Sequence, residues 1–190
     1  RRIDEGHPTR PATLYGAAKL ATLTLLERLA AAHAVRLAWL RVFSVYGPQD
    51  DQGTLLGSLV PRLLAGERPA VTSGTQLWDY LHVDDAAAAF LAVARSEFSG
   101  VCNLGAGVAP PLRDTIALVR DLIDPALEIG FGEIPLSPGA VTRLEPDVRR
   151  LCDATGWAPR TSLEHGLRAT IAWQRERSNT EVAGDVLVDR

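Results

Sequence analysis

The 190-residue chain contains no methionine, two cysteines and four tryptophans, and aromatic residues make up 6% of it. It also contains a single lysine, Lys19, among twenty basic residues; the other nineteen are arginine. Two cysteines, Cys102 and Cys152, lack metal or redox spacing, so free thiols in a reducing compartment are expected rather than a disulfide framework. The four histidines, His7, His33, His82 and His165, are dispersed, and no metal site is expected from them. No apolar run reaches membrane-spanning length and no secretory leader pattern is present, so a cytoplasmic location is expected. The formal net charge is −3, with arginines scattered rather than striped. Such a balance gives no long-range attraction to nucleic acid or to an anionic membrane.

Two further absences bear on organisation. The chain begins at Arg1 rather than methionine. It has no Gly-x-x-Gly-x-x-Gly or Gly-x-Gly-x-x-Gly after a strand, the turn that cradles a dinucleotide pyrophosphate. What is present suffices for one substantial core, since 46% of the residues are apolar.

The lone lysine follows Tyr15 by four positions, in Leu14-Tyr15-Gly16-Ala17-Ala18-Lys19-Leu20. On a helix that spacing sets the phenol and the ammonium on one face. A free phenol releases its proton near pH 10, so its use near neutrality takes roughly 4 kcal/mol of preferential phenolate stabilisation. A partly desolvated ammonium is the simplest source of that field. A planar guanidinium is a poor replacement for a compact ammonium that must also reach a small hydroxyl. Against this stands the plain alternative, a half-buried helical tyrosine beside a solvated lysine, with a chance coincidence of about one or two in a hundred.

Patterning along the chain predicts an α/β arrangement. Thr13 is the expected N-cap of a helix running to about His33, with Leu20, Leu23, Leu26 and Leu29 as its apolar stripe. Val35 to Phe43 reads as a buried parallel strand. The segment Val45 to Asp51 forms the loop at its carboxyl end, where open α/β sheets place ligands. A short helix is expected over Thr54 to Leu64, with Pro61 near its start or kinking it. Brief strand character follows at Ala70 to Thr72, then a strand over Gln76 to Val83. Asp84 is the expected cap of a helix over Asp85 to Arg95. Val101 to Leu104 reads as a strand, Leu112 to Ile123 as a helix, and Leu127 to Phe131 as another strand. Residues 132 to 146 read as irregular. Asp147 is expected to cap a helix to Thr155, and Ser162 to open a last helix to about Arg177. Residues 178–190 read as a loose tail carrying the patch Val186-Leu187-Val188. Asp84 and Asp85 do not face each other, and a structural role is expected for both, as for His82.

Four segments in order then resemble one family. They are Pro8-Thr9-Arg10-Pro11, Tyr15 to Lys19, Leu40-Arg41-Val42-Phe43-Ser44-Val45-Tyr46-Gly47-Pro48, and Trp78-Asp79-Tyr80-Leu81-His82-Val83-Asp84-Asp85. Together, over about residues 4 to 176, they resemble the extended short-chain dehydrogenase/reductases, and within these the NAD-dependent epimerase/dehydratase group acting on nucleotide sugars. The resemblance implies the carboxyl-terminal part of a Rossmann-like doubly wound sheet with a small substrate lobe. Residues 1–50 would complete the dinucleotide-binding domain, and 51–177 would hold the substrate lobe and returning Rossmann elements. On this reading the chain is the later part of a larger enzyme whose glycine-rich turn lies upstream.

The resemblance also implies roles. Tyr15 is the general acid/base and Lys19 its partner, both touching an NAD or NADP cofactor together with the Val42 backbone. Ser44, at a position where many members carry Asn, is a substrate contact. Trp78 stands where diphosphate-gripping members often have Arg, and Ser137 precedes Pro138-Gly139 where they often have another. Trp78 could stack on a base or sugar, and Arg143 or Arg62 could replace the missing cations. The implied reaction is oxidoreduction at a hydroxyl or keto carbon, C4 of a nucleotide-linked hexose, in an epimerase, dehydratase or ketoreductase. Two other readings stand beside it: reduction of a non-sugar ketone or aldehyde, and an isolated lobe serving as an interaction module. A homodimer through the Tyr15/Lys19 helix is the expected assembly.

Overall fold

The computed structural model describes residues 2–185, with side chains through Ser178. Among the described residues, six helices and eight short strands are interspersed along the chain, and the four strand pairs are parallel. Parallel pairing needs a crossover between partners, and helices supply most of the crossovers here.

Helix α1 spans Leu14–His33, and Thr13 Oγ1 accepts the Gly16 N–H at 3.1 Å, as its sequence position predicts. It ends with Ala34 in the left-handed conformation, whose N–H bonds to Ala30 O. Only Leu23 of this helix is buried, with Gly16, Leu20, Leu26 and Ala30 along the same edge half-buried. Leu29 and Leu25 are instead 54% and 65% exposed. The leucine stripe at intervals of three drifts off the packed face, because the helix turns every 3.6 residues.

Strand β1 covers Ala38–Val42, shorter than the apolar run suggests, and pairs with β6, Gly100–Leu104. After Phe43 and Ser44 the chain re-enters a strand, β2 at Val45–Tyr46, which pairs instead with β5, Leu81–His82. The expected loop at Val45 is therefore a second strand segment. The extended run switches partner across Phe43-Ser44: Phe43 N donates to Leu104 O, while Ser44 O accepts from Leu81 N. Open α/β sheets place their crevices where pairing diverges in this way.

The remaining pairs join β3 (Ala70–Val71) to β7 (Gly130–Phe131) and β4 (Leu77–Trp78) to β8 (Arg143–Leu144). The strand expected over Gln76 to Val83 is thus two pieces with different partners, interrupted at Asp79-Tyr80. The break is a change of partner: Asp79 N still donates to Leu144 O of β8, whereas Leu81 N donates to Ser44 O. The buried Asp79 carboxylate accepts Ala106 N at 2.8 Å and Val108 N at 3.1 Å. Residues 132 to 146 are not wholly irregular, since β8 lies within them.

Helix α2, Leu55–Leu64, starts from Thr54, whose hydroxyl accepts the Gly57 N–H. Pro61 sits well inside it rather than near its start. Helix α3, Val83–Arg95, begins earlier than expected, and its cap is His82 rather than Asp84: His82 Nδ1 accepts the Asp84 N–H at 3.3 Å. Asp84 itself is exposed. Helix α4 spans Leu112–Ile123, as the sequence suggests. Helix α5, Arg149–Thr155, is entered through Val148, although Asp147 Oδ1 does accept the Arg149 N–H. Helix α6, Leu163–Asp185, opens at Ser162, which accepts His165 N. It runs past Arg177, so residues 178–185 are helical rather than a loose tail; Val186 to Val188 lie outside the described residues.

Two cores result. One joins α2, α4 and α6 through Leu56, Leu59, Leu63, Ile116, Val119 and Leu167. The other packs α3 and α5 on β5 and β6 through Leu81, Ala89, Val93, Cys102, Leu104 and Leu151. Among the described residues no helix is long and apolar enough to cross a membrane.

Candidate functional site

A cavity of about 820 Å³ opens beside the Phe43-Ser44 switch. Phe43, Ser44 and Val45 form one wall; Thr54, Leu55, Ser58, Leu59 and Arg62 of α2 form a second. Thr72, Gln76, Trp78 and Tyr80 also line the cavity, as do Leu112, Ile116, Ala140 and Val141 among others. A volume of this size takes a small-molecule ligand, and the mixed apolar and hydroxyl lining suits one with several oxygen functions.

Ser44 and Trp78, both read from sequence as substrate contacts, meet here. The indole Nε1–H of Trp78 donates to Ser44 Oγ at 2.7 Å. The charged groups of the lining are Asp50 and Arg62. Arg62 is paired with Glu67 at 2.8 Å. Burial raises the Asp50 carboxyl above its ordinary range, against the hydroxyl of Thr54 and the N–H of Asp51. Tyr80 is raised as well, by burial and then by the Asp50 charge. Asp50, Gln76 and Tyr80 are cavity residues that sequence reasoning did not single out. The available signal was the position of Asp50 in the loop leaving a strand's carboxyl end, and of Gln76 and Tyr80 beside Trp78.

Arg143 lies apart from this group. It occupies β8 and gives two guanidinium nitrogens to Glu145, which also accepts from Arg2 at 2.9 Å. These hydrogen bonds, Arg2 first and then Arg143, hold Glu145 below the usual carboxylate range. Arg143 does not line the cavity, although Ala140 and Val141 just before it do.

Tyr15 and Lys19 stand one turn apart near the start of α1, with Lys19 Nζ 5.4 Å from the Tyr15 ring centroid. Tyr15 is 74% exposed. Lys19 also faces a smaller hollow of about 300 Å³ between α1 and β1, lined by Arg10, Gly16, Trp39 and Arg41 among others. Val42 ends β1 and is largely exposed, directly before the Phe43-Ser44 wall of the main cavity. Tyr15, Lys19 and Val42 do not line the main cavity, and of the three only Lys19 borders the smaller hollow. The 190 residues contain no glycine-rich turn to hold a dinucleotide pyrophosphate.

Other candidates prove structural. Asp85 is buried and accepts the N–H groups of Arg160 and Thr161, while Asp84 points to solvent. His82 is buried; its Nδ1 caps α3, but its Nε2 has no hydrogen-bond partner, so its polar groups are only half satisfied. Cys102 and Cys152 are both free thiols, and burial pushes Cys102 up to about 11.

Comparison with known proteins places the chain in a family. The chain is 29% identical to the UDP-glucose 4-epimerase of Azospirillum brasilense, across 91% of this chain and 56% of that protein. It is likewise 29% identical to the dTDP-glucose 4,6-dehydratase of an Actinoplanes strain, across 90% and 54%. Its fold superposes on the Thermotoga maritima UDP-glucose 4-epimerase solved with UDP-glucose, with a TM-score of 0.82, 28% identity and coverage of 88% and 55%. Other similar structures were solved with NAD or NADPH. The chain therefore spans about half the length of the curated relatives it matches. The family model for the NAD dependent epimerase/dehydratases matches residues 2–105, a stretch that holds Tyr15, Lys19, Val42, Ser44 and Trp78. Since that match takes in more than half of the 190 residues, the chain belongs to the NAD dependent epimerase/dehydratase family.

Proposed function

We propose that the protein to which these residues belong is an NAD(P)-dependent enzyme that oxidises and reduces a hydroxyl or keto carbon, C4 of a nucleotide-linked sugar, with Tyr15 as the general acid/base. One observation carries the reading: Lys19 Nζ sits 5.4 Å from the Tyr15 ring on one helical face, within a chain of this family. When bound, the nicotinamide supplies the hydride chemistry. Tyr15 accepts the sugar hydroxyl proton in the oxidative direction and returns it in the reductive one. The Lys19 ammonium lies beside the Tyr15 ring and would hold the cofactor's ribose. Val42 meets the nicotinamide through its backbone. Ser44 and Trp78, lining the 820 Å³ cavity, contact the sugar-bearing ligand.

A homodimer through α1 accompanies this reading. It is supported by the exposure of Leu14, Leu25 and Leu29 along a 20-residue helix with a single buried residue. Sedimentation of the full-length protein and of its Leu25→Glu variant tests it; a wild-type monomer refutes it.

The lining favours a second reading at one point. Arg62 is paired with Glu67, Arg143 with Glu145, and Asp50 places a carboxyl in the cavity. Diphosphates are usually held by free guanidinium forks. A reductase of an uncharged ketone or aldehyde fits this charge balance. An isolated lobe acting as an interaction module is the third possibility, and it predicts no NAD(P)H binding.

The deciding experiment uses the full-length protein with UDP-glucose, dTDP-glucose and NAD(P). Tyr15→Phe should abolish turnover while leaving nucleotide binding intact, and Lys19→Ala should weaken NAD(P)H binding. Turnover of Tyr15→Phe at the wild-type rate would overturn the reading. Turnover of simple ketones with no binding of either nucleotide sugar would transfer it to the reductase alternative.

A further inference from the structure

The Trp78–Ser44 hydrogen bond has a fixed polarity. An indole N–H only donates, whereas a serine hydroxyl has one proton and two lone pairs. At 2.7 Å, Trp78 therefore fills one lone pair of Ser44 Oγ, and the Ser44 proton must point elsewhere. Ser44 and Trp78 are both half-buried and both line the cavity. The bond spans 34 positions in sequence and ties β4 to the strand end at the pairing switch, so it also holds the hydroxyl at one place on the cavity wall.

We infer that Trp78 is a positioning residue: by occupying Ser44 as an acceptor, it turns the Ser44 hydroxyl into a directed donor toward an oxygen acceptor on the ligand. This deepens the proposed function and rests on its assignment of the cavity as the substrate site. The donor chain Trp78 N–H to Ser44 O–H to ligand oxygen is cooperative, since each bond polarises the next. The acceptor is a hydroxyl, ether or phosphoryl oxygen. A ligand N–H donor there has only the second lone pair of Ser44 to use. The relay also accounts for an indole and a short hydroxyl occurring together at this wall: a bulkier partner at residue 44 would displace the ring, and an apolar one would orphan its N–H.

The test is a double-mutant cycle on the full-length protein, using Ser44→Ala, Trp78→Phe and both, with titration calorimetry of UDP-glucose and of UDP. Ser44→Ala should weaken binding about tenfold, the worth of one hydrogen bond in a desolvated site. Trp78→Phe, which keeps an aromatic face on the cavity but removes the N–H, should weaken it less, and the double variant should bind no worse than Ser44→Ala alone, because the Trp78 N–H acts through Ser44. Coupling seen with UDP as well as UDP-glucose places the acceptor on the phosphates; coupling with UDP-glucose alone places it on the sugar. Losses that simply add would overturn the inference and leave the nucleotide-sugar reading standing. Absence of binding to UDP-glucose, UDP and dTDP-glucose by the wild type would overturn both. Should Trp78→Phe fail to fold, the Trp78 indole NMR signal decides. It should move on UDP-glucose addition in wild type and Ser44→Thr, and by clearly less in Ser44→Ala; a wild-type signal that moves no more than that of Ser44→Ala overturns the inference.

Discussion

Asp85, at the start of α3, accepts the backbone N–H of Thr161 at 2.8 Å and that of Arg160 at 3.1 Å, tying this helix to the loop that leads into α6. The Trp157 indole reinforces the link by donating to Asp85 O at 3.1 Å. Two backbone donors converging on one buried carboxylate describe a structural staple. Asp85→Ala should therefore cost about 2–3 kcal/mol, because both donors lose a partner in a partly buried setting. Urea unfolding should show the loss as a lower midpoint at unchanged slope. A catalytic Asp85 would show the reverse, full stability with lost turnover.

The pH dependence of stability should carry two opposing signatures. Burial pushes the Asp79 carboxyl up to about 6, although the N–H groups of Ala106, Val108 and Gly107 hold it down. The folded state therefore binds this proton more tightly than the unfolded chain does. Its contribution is fully present below about pH 4 and is lost as pH rises through about 6. Asp147 behaves oppositely. The Arg149 guanidinium beside it holds it down at about 2, so its contribution is present above about pH 4 and is lost as pH falls toward 2. Unfolding free energies measured from pH 3 to 7 should fall between 4 and 6 in wild type. In Asp79→Asn that fall should flatten, whatever the absolute stability of the variant.

Much of the scaffold was legible because caps and periodicity are local. Thr13 and Ser162 each accept the N–H they should, and α4 has the bounds its pattern suggests. The strands were harder, since their boundaries depend on partners far along the chain. Gln76 to Val83 alternates like one strand, yet it changes backbone partner from Leu144 at Asp79 to Ser44 at Leu81. Likewise the helix signal of Asp84-Asp85 is real, but the ring of His82 reaches the free N–H first. At the site, the family motifs gave Tyr15, Lys19, Ser44 and Trp78, while the Ser44–Trp78 bond and the pairing of Arg143 with Glu145 are tertiary facts. No spacing in the sequence encodes them.

Tyr15 and Lys19 should be separable from the fold. Both are exposed, and the structure gives Tyr15 the 5.4 Å cation–ring contact with Lys19. Replacing either by Phe or Ala should change unfolding free energy by no more than about 0.5 kcal/mol, the usual range for surface positions. Thermal melts of Tyr15→Phe and Lys19→Ala beside wild type check this. A loss of several degrees in either would mean that the pair is packed in the intact protein, and lost turnover could not then be assigned to proton transfer alone.

Gly166 poses a sharper question, because two principles oppose each other there. It lies in the first turn of α6, and in a helix alanine is better than glycine by about 1 kcal/mol. Yet a Cβ at this position would overlap Tyr46 Oη and lie 2.7 Å from His82 Cδ2. Tyr46 is 2% exposed and donates to Leu163 O at 3.2 Å, and His82 is buried against it with ring centroids 5.5 Å apart. Neither ring can swing into solvent, so the helix must move away from β2 and β5. Overpacking of this kind costs about 1–3 kcal/mol, which exceeds the propensity gain. Gly166→Ala should therefore be destabilised, and Gly166→Ala with Tyr46→Phe, which removes the overlapping oxygen, should recover part of the loss. A single variant more stable than wild type in urea would show that α6 is free to shift, and that the contact between Tyr46 and α6 does not fix the helix against the sheet.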